Sequence, residues 1–150
     1  MPKLDLDAIP ATNATGYPAP FSDAVAGRWY RRLAPAAGLR DFGASHVTLK
    51  PGAWSSQRHW HEDEDEDELV VMLAGEAVLV DDGGETPLRA GDVAVFPKGD
   101  GNGHCLRNDG DADCLFLAIG QPTTRVCHYP DVDMHLPEGG GYRHKDGRPY

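Results

Sequence analysis

RHWHEDEDEDELVVMLAGEAVL, residues 58–79, sets His59 and His61 around a single tryptophan, follows them with seven consecutive acids and then turns into an apolar run. Read as structure, it is two short strands, Ser56–His61 and Glu68–Leu73, joined by a charged connection. Side chains alternate faces along a strand, so His59 and His61 point one way and Trp60 the other. Two imidazoles side by side on one face make half a metal site. The stretch therefore poses a choice between a metal centre and a solvated charge run.

Outward from this stretch, apolar segments recur between turn signals. Further strands are expected at Arg28–Leu33, Phe42–Lys50, Ala77–Val80, Val93–Phe96, Cys105–Arg107 and Leu115–Ile119, with Asp82-Gly83-Gly84 and Asn108-Asp109-Gly110 among the turns. The 18 glycines and 12 prolines are spread between these segments instead of forming one linker, as a β fold requires. Eight or so short strands make a sandwich or a barrel, so the fold class is all-β. A helical rival spans Asp23 to Leu39, where Val25, Trp29 and Leu33 recur every four residues, but Gly27 and Pro35 interrupt it. An edge strand followed by a turn is expected there. The proline-bearing flanks, 1–20 and 130–150, are expected to be N- and C-terminal arms around a body of residues 21–129.

At 150 residues the chain suits one domain. Seven units of its formal net charge of −10 sit in Glu62–Glu68, leaving −3 elsewhere, so the acidity is local. This balance repels phosphate backbones, and no lysine or arginine cluster compensates, which sets nucleic acid aside. MPKLDLDAIP lacks the features of a signal peptide, and no apolar run approaches membrane-spanning length, so a cytoplasmic protein with no membrane partner is expected. Cys105, Cys114 and Cys127, odd in number and without CxxC spacing, read as reduced core thiols without a catalytic role.

The remaining donors of a metal site must come from other strands, because a catalytic centre wants three or four nitrogen and oxygen ligands with a position left open. Glu68 is the acid that also begins the apolar strand, so the sheet would hold its carboxylate. That favours it over Glu62, Glu64 and Glu66. A further donor is His104, where a Pro-Lys-Gly turn feeds the strand that follows it.

At these residues the chain resembles a family: the small single-domain cupins, jelly-roll barrels with two signature segments. They read here as Gly52, His59, His61, Glu68 and Gly75, then Gly91, Pro97, Gly99, His104 and Asn108. Six residues between Glu68 and Gly75, and three between His104 and Asn108, match the family spacing. Three spacings depart from it: six residues instead of five before His59, six instead of three or four between His61 and Glu68, and four instead of two before His104. The resemblance implies a cupin barrel in which one divalent transition metal (zinc, nickel, manganese or iron) is held by His59, His61, Glu68 and His104. Glu66 is the alternative carboxylate; it keeps the strand parity but loses the spacing to Gly75. The segments GYPAPF, GLRDFG, PGAWSSQRHWH, HYPDVDM and RHKDGRPY extend the likeness to a subgroup of short bacterial cupins, some labelled sugar-phosphate isomerase.

Two residues beside the donors are candidates for catalysis. Gln57 shares the parity of His59 and His61, and can hydrogen-bond a substrate or be a buried amide satisfied by backbone. His46, on the second expected strand, can face the pocket as a general base. His128, Asp131 and Asp133 read as parts of a tail that docks by its own side chains rather than as a second cation site. Glu62 to Asp67 read as a solvated rim that discourages anionic substrates unless a pocket arginine compensates. Strands apolar on both faces, such as Glu68–Leu73, need an outer cover, either the arms or a second copy in a homodimer. The function expected is a metal-dependent enzyme, isomerase-like or dioxygenase-like, acting on a small oxygenated molecule; the alternative is a non-catalytic binding or sensing module.

Overall fold

The computed structural model describes residues 3–62, 67–121 and 126–150. Eleven strands are present among them: β1 Arg28–Arg32, β2 Gly43–Leu49, β3 Trp60–His61, β4 Glu68–Ala74, β5 Glu76–Asp81, β6 Gly84–Arg89, β7 Val93–Phe96, β8 Cys105–Arg107, β9 Cys114–Gly120, β10 Cys127–Tyr129 and β11 Met134–Leu136. They form a five-stranded sheet in the order β1-β2-β9-β4-β7 and two three-stranded sheets, β6-β5-β8 and β11-β10-β3, with antiparallel pairing throughout. The all-β fold expected from the strand count, and the barrel that the resemblance implies, are observed.

Alternation decides what the barrel encloses. Val47 and Leu49 of β2, Val70 and Met72 of β4, Ala94 and Phe96 of β7, and Cys114 and Phe116 of β9 turn inward and meet Ala77, Leu88 and Leu106 from the opposite sheet. A second cluster gathers Cys127, Tyr129 and Met134, with Tyr17 and Phe21 from the N-terminal segment and Tyr142 from the C-terminal one packed against them. Both ends of the chain thus cover the small sheet that carries β3, and at the edge of the large one the Ile9 carbonyl accepts from Arg31 Nε at 3.0 Å.

Two expected elements take another form. Of the expected strand Ser56–His61 only Trp60 and His61 are strand; residues 51–59 run as turns and bends, touching their neighbours through isolated bridges at Trp54–Arg107 and His59–His104. Gly52 turns the chain at φ 79°, and the Ser55 hydroxyl accepts from the Leu106 amide, so side chains replace part of a regular ladder. After β1, Leu33–Ala37 closes into a five-residue helix, α1, rather than an open turn. Pro35 falls in its first turn, where no intrahelical N–H is needed, and Gly38 at φ 72° caps it by donating to the Ala34 and Pro35 carbonyls. No described helix is long and apolar enough to cross a membrane.

Candidate metal centre

His59 and His104 come from segments 45 residues apart in sequence, yet face each other across an antiparallel bridge in which each backbone amide donates to the other's carbonyl, at 3.2 and 2.9 Å. Their rings lie 5.3 Å apart, and the His61 ring is 5.0 Å from that of His59. The His59 Nδ1–H donates to the Gln57 carbonyl at 2.9 Å, with the Ser56 hydroxyl at 3.2 Å. Nδ1 of His104 donates in the same way to the Asn102 carbonyl at 3.2 Å. Both rings are thereby fixed by backbone, and Nε2 is the atom left for other work. Phe96 stacks on the His104 ring at 3.6 Å and holds its plane.

Glu68 enters from the start of β4, in register with Phe96 on one side and Gly120 on the other. Its Oε2 lies 3.3 Å from His104 Nε2. Burial pushes the Glu68 carboxyl up, but the bond from His104 and the charge of the three imidazoles outweigh it and hold the group below the ordinary glutamate value. For His104 burial acts downward, and the hydrogen bond and charge of Glu68 reverse it, so the imidazole is raised. His59 is pushed down to about 4 by burial and by its neighbours His104 and His61, and so stays neutral at physiological pH.

The four residues read from the sequence thus stand around one region. His59, Glu68 and His104 line one cavity of about 390 Å³, while His61, Glu68 and His104 line the adjoining recess. Imidazoles with Nδ1 tied to backbone and a half-buried carboxylate opposite are a donor set suited to a divalent transition metal. The alternative carboxylate, Glu66, lies outside the described residues.

One candidate donor went unforeseen. Cys127, read as a core thiol, pairs with His61 across β10 and β3, and its Sγ lies within 4.8 Å of ligand atoms of both His59 and His61. Its position just after the 122–125 segment, between no recognisable ligand spacings, gave no signal in the sequence.

The two catalytic candidates sit elsewhere. Ser45 and Val47 of β2 line the cavity, so the pleat sends His46 to the opposite face, and its Nδ1 is buried there without a hydrogen-bond partner among the described residues. Gln57 lies in the bends before β3, where strand parity does not apply; its side-chain amide donates to the Phe21 carbonyl at 3.0 Å. Gln57 acts on the site through its own carbonyl, which orients His59.

Residues outside the cavity hold these segments in place. Arg58, next to His59, spans Asp131 on the β10–β11 turn, with two bonds of 2.7 Å, and Asp82 after β5. His128 stacks on Trp60 at 4.3 Å and pairs with Glu62 at 2.6 Å, and Asp133 binds His144 at 2.8 Å. The tail is fastened by these contacts, in keeping with docking rather than with a second cation site.

Residues 45–120 match the cupin domain family model, a span that runs from within β2 to the end of β9 and takes in the candidate donors His59, His61, Glu68 and His104. The chain belongs to the cupin family. This cupin is similar over its whole length to a sugar phosphate isomerase from a cupin superfamily of Silicibacter pomeroyi: 44% identity, 99% of this chain and 96% of that one covered, TM-score 0.90. It is also similar to a predicted oxalate decarboxylase from Thermotoga maritima, at 28% identity and TM-score 0.53, covering 64% of this chain and 81% of the other. An oxalate-binding protein of Thermotoga maritima is 39% identical over 75 residues, half of this chain. The cupin spans 58% of that relative's length.

Proposed function

We propose that this cupin is a metal-dependent enzyme acting on a small oxygenated molecule, with one divalent zinc, nickel, manganese or iron ion held by His59, His61, Glu68 and His104. The observation that carries the proposal is the tethering of the His59 and His104 Nδ1 atoms to backbone carbonyls, which leaves Nε2 at the cavity wall shared with Glu68. When bound, the metal supplies Lewis-acid polarisation of a substrate oxygen or, as iron, a site for dioxygen. The chain's own residues do the rest. Val70, Leu106 and Phe116 exclude water from the inner wall, and Tyr17 and Ser56 bring hydroxyls to the same cavity, while the Tyr30 hydroxyl is held by the Ala14 carbonyl at 3.0 Å. Burial pushes the Tyr17 phenol up, so it stays protonated as a hydrogen-bonding group. The similarity to a sugar phosphate isomerase supports a carbohydrate-like substrate.

One observation favours a second reading, a non-catalytic small-molecule binder. Among the described residues lining the cavity Glu68 is the sole carboxylate, so a Glu68 engaged as a ligand leaves no separate carboxylate base for isomerisation. The oxalate-binding relative accords with that reading. Elemental analysis of protein purified without added metal, followed by spectroscopy with oxygen, a sugar phosphate or oxalate, separates the two. About one equivalent of metal and turnover of an added substrate are expected; metal with binding but no turnover supports the binder. Protein that neither carries nor takes up metal overturns both.

We infer also that the outer face of the large sheet is covered by a second copy. Leu69, Val71, Val93, Val95, Leu117 and Ile119 meet there in register, with Val93 and Val95 55% and 64% exposed, and β7 is an edge strand able to lie against its twofold mate. Light scattering at micromolar concentration is expected to give twice 16.2 kDa, and half of it after Val95→Lys. A stable monomer of 16.2 kDa before substitution overturns the dimer.

A further inference from the structure

β1 reads Arg28-Trp29-Tyr30-Arg31-Arg32, and alternation sends Arg28, Tyr30 and Arg32 together to the cavity, where all three form part of the wall shared with His59, Glu68 and His104. The two guanidinium carbons lie 5.2 and 5.8 Å from the centre of the Tyr30 ring. Arg28 is anchored without being neutralised: it donates to the Ser55 carbonyl at 2.8 Å and the Ala14 carbonyl at 3.3 Å, while its Nε has no partner among the described residues. Arg32 makes no ion pair among the described residues.

Like Arg31 and Arg143, which also lack an ion pair among the described residues, Arg28 has only carbonyl partners, but Arg28 and Arg32 differ from those two in lining the cavity. Arg58, Arg89, Arg107 and Arg148 each stand against an aspartate or glutamate. Two cations gathered at one aromatic ring, in a cavity whose own carboxylate is engaged by His104, repel each other until an anion comes between them. Arginine forks match the oxygens of phosphate and carboxylate alike.

We propose that Arg28 and Arg32, flanking Tyr30 on the same wall, form the subsite for an anionic group, phosphate or carboxylate, on the substrate. The inference rests on the reading of this cavity as the substrate site and names its substrate class: a small oxygenated molecule with one anionic end held at β1 and its reacting oxygens toward the histidines. The net negative charge of the chain does not exclude such a molecule, because Arg28 and Arg32 bring positive charge to the cavity wall itself.

The test is calorimetric titration with D-ribose 5-phosphate, D-ribonate and D-ribose, on wild type, Arg32→Met and Arg28→Lys, with metal content measured on each sample. At least one anion is expected to bind tenfold or more tighter than ribose. The exposed Arg32→Met is expected to cost that anion at least fivefold and leave ribose unchanged, while Arg28→Lys, which keeps the charge, loses less. Tighter binding of ribose 5-phosphate assigns the subsite to phosphate, and of ribonate to carboxylate. Equal binding of all three ligands, or anion affinity unchanged in folded Arg32→Met, overturns the proposal. Because metal content is read separately, an arginine-dependent preference in protein that neither carries nor takes up metal would refute the metal reading alone.

Discussion

His104 Nε2 lies 3.3 Å from Glu68 Oε2, and the pair holds a proton that a metal ion would have to displace. The raised His104 and lowered Glu68 define the window of this ion pair. The His104 contribution to stability is complete below its unfolded value and is lost as pH rises through its folded one; that of Glu68 is lost as pH falls through its depressed value. In metal-free protein the pair is therefore intact between these two limits. Metal binding is expected to release about one proton there, seen as a dependence of calorimetric enthalpy on buffer, and His104→Gln should abolish the release. His59, at about 4, adds a second proton only in stronger acid.

Removing a donor should empty the site. His59→Ala and His104→Ala are each expected to lower bound metal, measured by elemental analysis, from about one equivalent to near none. Glu62→Ala should leave it unchanged, because that carboxylate is engaged by His128. Metal lost on Glu62→Ala and kept on His104→Ala would move the centre into the acidic loop.

Cys127 and the pair Glu68 and His104 offer alternative completions around His59 and His61. Cobalt(II) reports the choice. With the three-histidine, one-carboxylate set, the cobalt protein should lack an intense near-ultraviolet thiolate band, and Cys127→Ser should leave its spectrum as it was. A band that disappears in Cys127→Ser would place the thiol in the donor set.

Asn108, fully buried after β8, donates to the Leu49 and Ala112 carbonyls at 2.9 and 2.8 Å and accepts from the Gly110 amide at 3.0 Å. Asn108→Ala leaves these backbone groups unsatisfied and should cost about 2–4 kcal/mol in urea unfolding, with little change in the urea dependence. A loss below about 0.5 kcal/mol would mean that water replaces the amide.

The same residues mark what could be read from sequence. Val93–Phe96 and Cys105–Arg107 were legible to the residue because glycine and turn signals bracket them. β6, reading GETPLR, was not: it is largely exposed and polar, and only pairing with β5 makes it a strand. β10 and β11 were hidden because Pro130 and Pro137, which follow them directly, made this stretch read as tail. At the site, His59, His61, Glu68 and His104 stood out by type and spacing. His46 was misplaced because parity within β2 has no zero until the core is known, and Arg28 and Arg32 passed unnoticed because RWYRR looks like surface charge until one face is seen to line a cavity.

β2 has neighbours of opposite ages: β1, finished just before it, and β9, made some seventy residues later. A growing chain can close the first hairpin early, but the middle of its largest sheet stays half paired until residue 120 has left the ribosome. Nascent fragments ending before that point should carry an open apolar edge, and their need for a chaperone should fall sharply once β9 docks.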